Sequence, residues 1–268
     1  MTARYLLAIV LTVVLLGIAR RMSTRRPGEI QISSGDVSIS HTTVTENFGD
    51  GPIIELKISA VDSLRPMVLY SEQAGSPYQS MEMVLGANGY YARLPALDKG
   101  RKWYYHIDIY RVNAIIATIP VSGDQFIKFK GHVSPFVLIP HIACMFATIF
   151  FGLLTVFTAV DYSRGRGELK RSVKFLFLTI VFSFIGGFPL GYLVAYQAFG
   201  QGWAGIPVGW DITDNKTVIL FLFWLISFII AFRGLKSGSS GIDPRKYLLL
   251  VGLSFFVTIL TFLIPHSI

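Results

Sequence analysis

The chain has a single cysteine, Cys144, which excludes an intramolecular disulfide framework and any zinc site built from cysteines alone. Charge is scarce too. Only 15% of the 268 residues are Asp, Glu, Lys or Arg, against 52% hydrophobic, and soluble domains do not keep that balance. No repeat period and no low-complexity segment stands out, which sets aside solenoids and disordered tails. The net charge of +8 would suggest nucleic acid if the basic residues shared a soluble face. Most of them flank apolar runs instead, a pattern that reports membrane orientation. A lipid bilayer is therefore the first partner expected, and nucleic acid is not.

What is present falls into three stretches. Residues 1–26 carry an apolar run, Tyr5 to Ala19, short for a span and long for the core of a signal peptide. Gly17 and Ala19 favour cleavage, whereas Arg20, Arg21, Arg25 and Arg26 hinder export. The run is read as a retained anchor, with a signal peptide as the alternative. Over residues 27–133 the periodicity changes to two, in segments such as VSISHTTV, IIELKISAV and KWYYHIDIY. About seven short strands of a half-buried sheet are expected there. Residues 134–268 hold four further runs, about Pro135 to Val160, Val173 to Phe199, Lys216 to Phe232 and Tyr247 to Ile264. Each can cross about 30 Å of hydrocarbon as a helix. The expectation is an α+β membrane protein with an anchor helix, a β domain and a C-terminal four-helix transmembrane bundle.

Two connections are basic. One carries Arg164, Arg166, Lys170, Arg171 and Lys174, the other Arg233, Lys236, Arg245 and Lys246. The positive-inside rule puts both in the cytoplasm. Alternation then puts the N-terminus inside and the β domain, the 200–215 loop and the C-terminus outside, in a bacterial inner membrane.

The residues able to do chemistry near the membrane gather on that outer side. His132 and His141 stand before or at the start of the second run and His266 follows the last, while Asp211 and Asp214 lie in the loop. Helix ends on one side of a bundle can converge. His141, Cys144 and Met145, spaced i, i+3 and i+4, share a helical face and form a soft set suited to copper. Histidines from two helices suit haem iron. Haem b or copper are the cofactors considered, with His132, His141 and His266 as ligands. The alternative is that His141 marks the polar boundary while Cys144 and Met145 pack as apolar residues. His41 and His106 are assigned to the solvent face of alternating strands. Tyr90, Tyr91, Trp103, Tyr104, Tyr105 and Tyr110 read as core or as a ligand platform. In FIGGFPLGYL, Gly187 and Pro189 predict a kinked, closely packed helix. No Asp, Glu, Lys or Arg is placed in the membrane interior of a run, Lys174 and Lys216 standing at the starts of theirs, which argues against an ion-coupled transporter.

The most distinctive segment is GWAGIPVGWDITDNKT. Gly202, Gly205, Gly209 and Pro207 predict tight turns, and Trp203 and Trp210 suit the headgroup level. Asp211, Thr213 and Asp214 can each cap the helix that follows, and Lys216 is expected to pair with an aspartate. Asn215-Lys216-Thr217 matches a glycosylation acceptor, an accidental match in a bacterial chain.

Three resemblances add to this reading. The stretch from PMVLYSEQ through YYARLPA and WYYHID to ATIP resembles immunoglobulin-like and fibronectin type III-like sandwiches, which implies fold only. FGQGWAGIPVGWDITDNKTVILFLFWLI resembles a poorly characterised group of bacterial membrane proteins with a GWxGxPxGxDxTDNKT signature. Its positions here are Gly202, Trp203, Gly205, Pro207, Gly209, Asp211, Thr213, Asp214, Asn215, Lys216 and Thr217, and it implies no activity. A looser similarity, to the tryptophan-rich loop of haem-handling cytochrome c assembly proteins, rests on Trp210-Asp211 flanked by histidines on neighbouring helices. This sequence departs from that pattern where Gly205 to Gly209 separate the tryptophans and where the following acid is missing.

The leading expectation is a non-catalytic binding, assembly or accessory subunit with protein partners in the membrane or periplasm. The alternatives are a haem- or metal-handling membrane protein, or a small-solute transporter working through the kinked third helix.

Overall fold

The computed structural model describes residues 2–35, 37–59, 64–75, 77–237 and 241–264. His266 lies outside the described residues. The fold mixes α and β: among the described residues two sheets precede Val133, and five helical stretches are long and apolar enough to cross a membrane. The chain divides into two compact units, Arg25–His132 with Ala198–Gly200, and Met1–Thr24 with Val133–Gln197 and Gln201–Ile268.

The β unit contains β1 (Glu29–Ser34), β2 (Val37–Thr42), β3 (Glu46–Asn47), β4 (Ile53–Ile58), β5 (Leu64–Ser71), β6 (Gln79–Glu82), β7 (Val84–Gly86), β8 (Gly89–Arg93), β9 (Lys102–Arg111), β10 (Ala114–Ile119) and β11 (Gln125–Phe129). One sheet runs β1-β2-β4-β8-β7. The other runs β3-β11-β9-β5-β6, with β10 also paired to β9. All pairs are antiparallel except β3 with β11. Alternation sends Val37 and Ile39 of β2, Ile54 and Leu56 of β4, and Trp103, Tyr105 and Ile107 of β9 into one buried cluster drawn from both sheets. Trp103 packs edge-on against Tyr70 and donates its indole N–H to the Pro95 carbonyl at 2.8 Å.

His41 corrects the solvent-face assignment. It is 1% exposed, because it shares the parity of Val37 and Ile39 along β2. Its Nδ1 lies 2.7 Å from the Glu55 carbonyl and its Nε2 2.9 Å from the Tyr105 hydroxyl. A carbonyl only accepts, so Nδ1 carries the proton and Nε2 accepts from Tyr105. Burial lowers the His41 pKa below the ordinary histidine value and raises that of Tyr105. The neutral fold therefore binds fewer protons than the unfolded chain once the pH drops below about 6.5. The contribution of neutral, buried His41 to stability is fully present above that value and is lost as the pH falls toward the depressed folded value. The slope is at most about 1.4 kcal/mol per pH unit for one proton. Denaturation of the full chain at a series of pH values should show this slope, and His41→Gln should flatten it.

The helical unit contains α1 (Thr2–Ser23), α2 (Pro135–Ser163), α3 (Leu169–Ile185), a π-helical turn at Gly186–Leu190, α4 (Gly191–Phe199), α5 (Ile212–Lys236) and α6 (Pro244–Leu263). The expected four-helix bundle with a separate anchor is corrected to five membrane-length helices in one unit, because α1 packs on α2 and α6. Ala8 and Ala19 of α1 join the buried cluster of Ile149, Trp224 and Val251. With Thr12, also buried, these small side chains fall on one helical face and let the backbones approach.

Between α5 and α6 runs a seam of hydroxyl contacts. The Trp224 indole N–H donates to Thr258 Oγ1 at 2.8 Å, and Ser227 and Ser254 hydroxyls bond at 2.8 Å. Ser172 of α3 bonds the Tyr247 hydroxyl of α6 at 2.8 Å. Short polar side chains join helices in this way where water cannot.

Candidate functional site

The loop from Gln201 to Asp211 is organised by the first turn of α5. Asp211 is the N-cap, its Oδ1 accepting from the amides of Thr213 at 2.8 Å and Asp214 at 3.1 Å. The roles expected of Thr213 and Asp214 as alternative caps are thereby corrected. The Asp214 carboxylate turns back and accepts the amides of Ala204 at 2.6 Å and Gly205 at 3.2 Å, while Asn215 Oδ1 accepts that of Ile206 at 2.8 Å. Two adjacent helix side chains thus hold three consecutive loop amides. The Gly205 carbonyl accepts from Val208 and Gly209 at 2.9 Å each, and the Ala204 carbonyl from the Asp211 amide at 3.0 Å. Gly205 is required by proximity, since a Cβ there would lie 2.7 Å from Asp214 Cβ.

The two tryptophans divide their labour. Trp203 is half-buried, stacks on Phe188 with centroids 5.8 Å apart and donates its indole N–H to the Ile206 carbonyl at 3.3 Å. It packs within the loop. Trp210 is 84% exposed and Val208 70%, with Ile206 and Ile212 also exposed. A loop locked by internal bonds therefore presents several large apolar side chains.

Lys216 follows on the next turn of α5 and is 6% exposed. Its ammonium donates to the Ile264 carbonyl at the end of α6, in place of the expected pairing with an aspartate. The last carbonyls of a helix lack intrahelical donors and attract a cation. This residue, the first of its apolar run, also corrects the expectation that the runs carry no buried charge, because α5 begins one turn earlier, at Ile212, and takes Lys216 inside the helix.

On α2, the face carrying His141, Cys144 and Met145 meets the π-turn. Gly186 is the close approach: a Cβ there would collide with Met145 Cε and lie 2.8 Å from Cys144 Cβ. Where the sequence predicts a kink the helix makes this π-turn, in which the Gly191 amide bonds the Gly186 carbonyl across the position where Pro189 supplies no donor. On the neighbouring side, a Cβ on Gly187 would lie 2.7 Å from the Thr217 methyl. His141 Nδ1 lies 3.0 Å from the Gly186 carbonyl, which fixes the proton on Nδ1 and leaves the Nε2 lone pair, the arrangement a metal-bound imidazole uses. His141 and Met145 both line a cavity of about 280 Å³ that also contains Arg20 and Phe262. Those two residues are the ones that could offer a soft metal a nitrogen and a sulfur. Among the described residues no group of three or more His, Cys, Asp or Glu side chains converges as a metal site.

In the β unit, His132 stacks on Phe48 with centroids 5.5 Å apart. His106, expected on the solvent face, is half-buried instead. Its Nδ1 is 2.9 Å from Asp124 Oδ1, and the Tyr78 hydroxyl donates to the same carboxylate. That bond raises the Tyr78 pKa first, with burial adding to it. Sequence reasoning missed this Tyr78–Asp124–His106 cluster because His106 is on β9 while Tyr78 and Asp124 lie in distant connections, just before β6 and β11.

No family model, no curated protein and no solved structure matches the chain.

Proposed function

We propose that this chain is a non-catalytic protein of a bacterial inner membrane that binds or assembles with a protein partner through the 200–215 loop and the β unit. On this reading the N-terminus and both basic connections are cytoplasmic, and the loop and β unit face outward. The β unit is taken as an immunoglobulin- or fibronectin type III-like sandwich. The strand orders β2-β4-β8 and β6-β5-β9-β11, with β3 parallel to β11 at an edge, support that assignment.

One observation carries the proposal: the loop is held by its own hydrogen bonds and displays Trp210, Val208 and Ile206, beside Ile212 at the start of α5. Aromatic anchors on preordered backbone are the features that concentrate binding energy at protein interfaces. The polar groups around it are already committed to the fold, Asp211 to amides in the first turn of α5, Asp214 and Asn215 to loop amides and Lys216 to a helix end.

Photoreactive residues placed at Val208 or Trp210 in native membranes are expected to give a protein adduct of discrete mass. The same probe at Leu249, 73% exposed on α6, should label lipid alone. Lipid adducts alone at all three positions would overturn the proposal.

A further inference from the structure

At the end of the helical unit where α2 turns into α3, a cavity of about 390 Å³ lies between α1 and α3 on the face of α2. Its lining carries three guanidinium groups, Arg4, Arg166 and Arg171, and one carboxylate, Asp161. Asp161 ion-pairs with Arg4, and that pair ties the start of α1 to the end of α2. The turn itself is drawn tight beneath the arginines, with the Arg166 amide donating to the Asp161 carbonyl at 2.9 Å. A Cβ on Gly167 would lie 2.9 Å from Asp161 Cβ. Toward the middle of the helices the same cavity is walled by Leu154, Phe157 and Phe175.

A site with guanidinium groups at its rim and hydrocarbon below matches an amphiphile with an anionic head. Arginine binds phosphate through charge and paired N–H donors. Basic pockets between membrane helices take phospholipid headgroups, and each basic group near the surface adds to the preference for anionic lipid. We infer that this cavity binds the phosphate ester of an anionic phospholipid, with Arg166 and Arg171 on the headgroup and an acyl chain along Leu154 and Phe157. The inference rests on the helical unit spanning a membrane and is independent of any partner of the loop. A free phosphate shares the headgroup chemistry but would make no use of the apolar wall.

The test uses the full chain in neutral detergent, offered equal amounts of phosphatidylglycerol and phosphatidylcholine and read by native mass spectrometry. The expected result is retention of phosphatidylglycerol at about tenfold or more over phosphatidylcholine. The double variant Arg166→Gln/Arg171→Gln should lose that preference, and Arg166→Lys/Arg171→Lys should keep most of it. Lys236→Gln, on the other basic connection, should leave it unchanged. Equal retention of the two lipids by the unaltered chain would overturn the inference, as would a preference that survives the double glutamine variant. Displacement of the lipid by millimolar inorganic phosphate, with no dependence on acyl chains, would likewise overturn the lipid assignment in favour of a free anion.

Discussion

Replacing Trp224 with alanine should destabilise the helical unit by about 3–5 kcal/mol, the range for deleting a buried aromatic side chain. Trp224 is fully buried on α5. A Cβ on Gly152 of α2 would sit 3.3 Å from its ring and 3.3 Å from the Phe255 ring of α6, so this indole fills the space where three helices meet. Its loss leaves a cavity that no lipid tail can enter without parting the helices. The hydrogen bond to Thr258 is the smaller part of the effect, since bonds between membrane helices average about 0.6 kcal/mol. Trp224→Phe, which removes that bond and keeps most of the ring, should therefore cost far less than Trp224→Ala. Thr258 remains satisfied in either variant, because its hydroxyl also donates to the Ser254 carbonyl at 2.9 Å. Unfolding in mixed detergents, followed by tryptophan-independent circular dichroism, measures the order of the three proteins.

Asp214→Ala should release the loop, at a cost on the order of 2–3 kcal/mol. The variant removes a charged acceptor that serves two backbone amides at once, and bonds to charged groups are the stronger kind. The amides of Ala204 and Gly205 are left without their partner. Asn215→Ala removes one neutral bond, to the Ile206 amide, and should cost about 1 kcal/mol. Asp211→Ala removes the helix cap and should also cost about 1 kcal/mol. Hydrogen exchange at residues 203–209 reads the difference: fast exchange in the Asp214 variant, an intermediate rate in the Asn215 variant, and fraying confined to the start of α5 in the Asp211 variant.

The helices were the most legible part of the sequence, because an unbroken apolar run has one stable form in lipid. The strands of the β unit followed from alternation, and the capping rule offered Asp211 as one of three candidates with Thr213 and Asp214. His41 was legible in principle, since Val37, Ile39 and His41 share one parity. Residue type argued for solvent, and the partner that makes burial tolerable, the Tyr105 hydroxyl, is on β9, far along the chain. Lys216 could not be read, because its acceptor is the carbonyl of Ile264 at the end of another helix. Nor could the role of Asp214, whose bonds run backwards to Ala204 and Gly205. The packing of α1 was hidden differently: Ala8, Thr12 and Ala19 look like neutral members of a uniformly apolar run, and only close backbone approach gives their spacing a meaning.

Asp211, Asp214, Asn215 and Gly205 each have a separate structural task in this loop. Asp211 caps the helix, and Asp214 and Asn215 hold the loop that exposes Trp210. The most direct test is photo-crosslinking from position 210 in chains that differ only at residue 214. Preordered display predicts that the protein adduct formed with Asp214 present falls about tenfold or more when Asp214 becomes alanine, since binding must then order the loop as well. An adduct of undiminished yield from the Asp214→Ala chain would contradict the claim that this loop is a built recognition element.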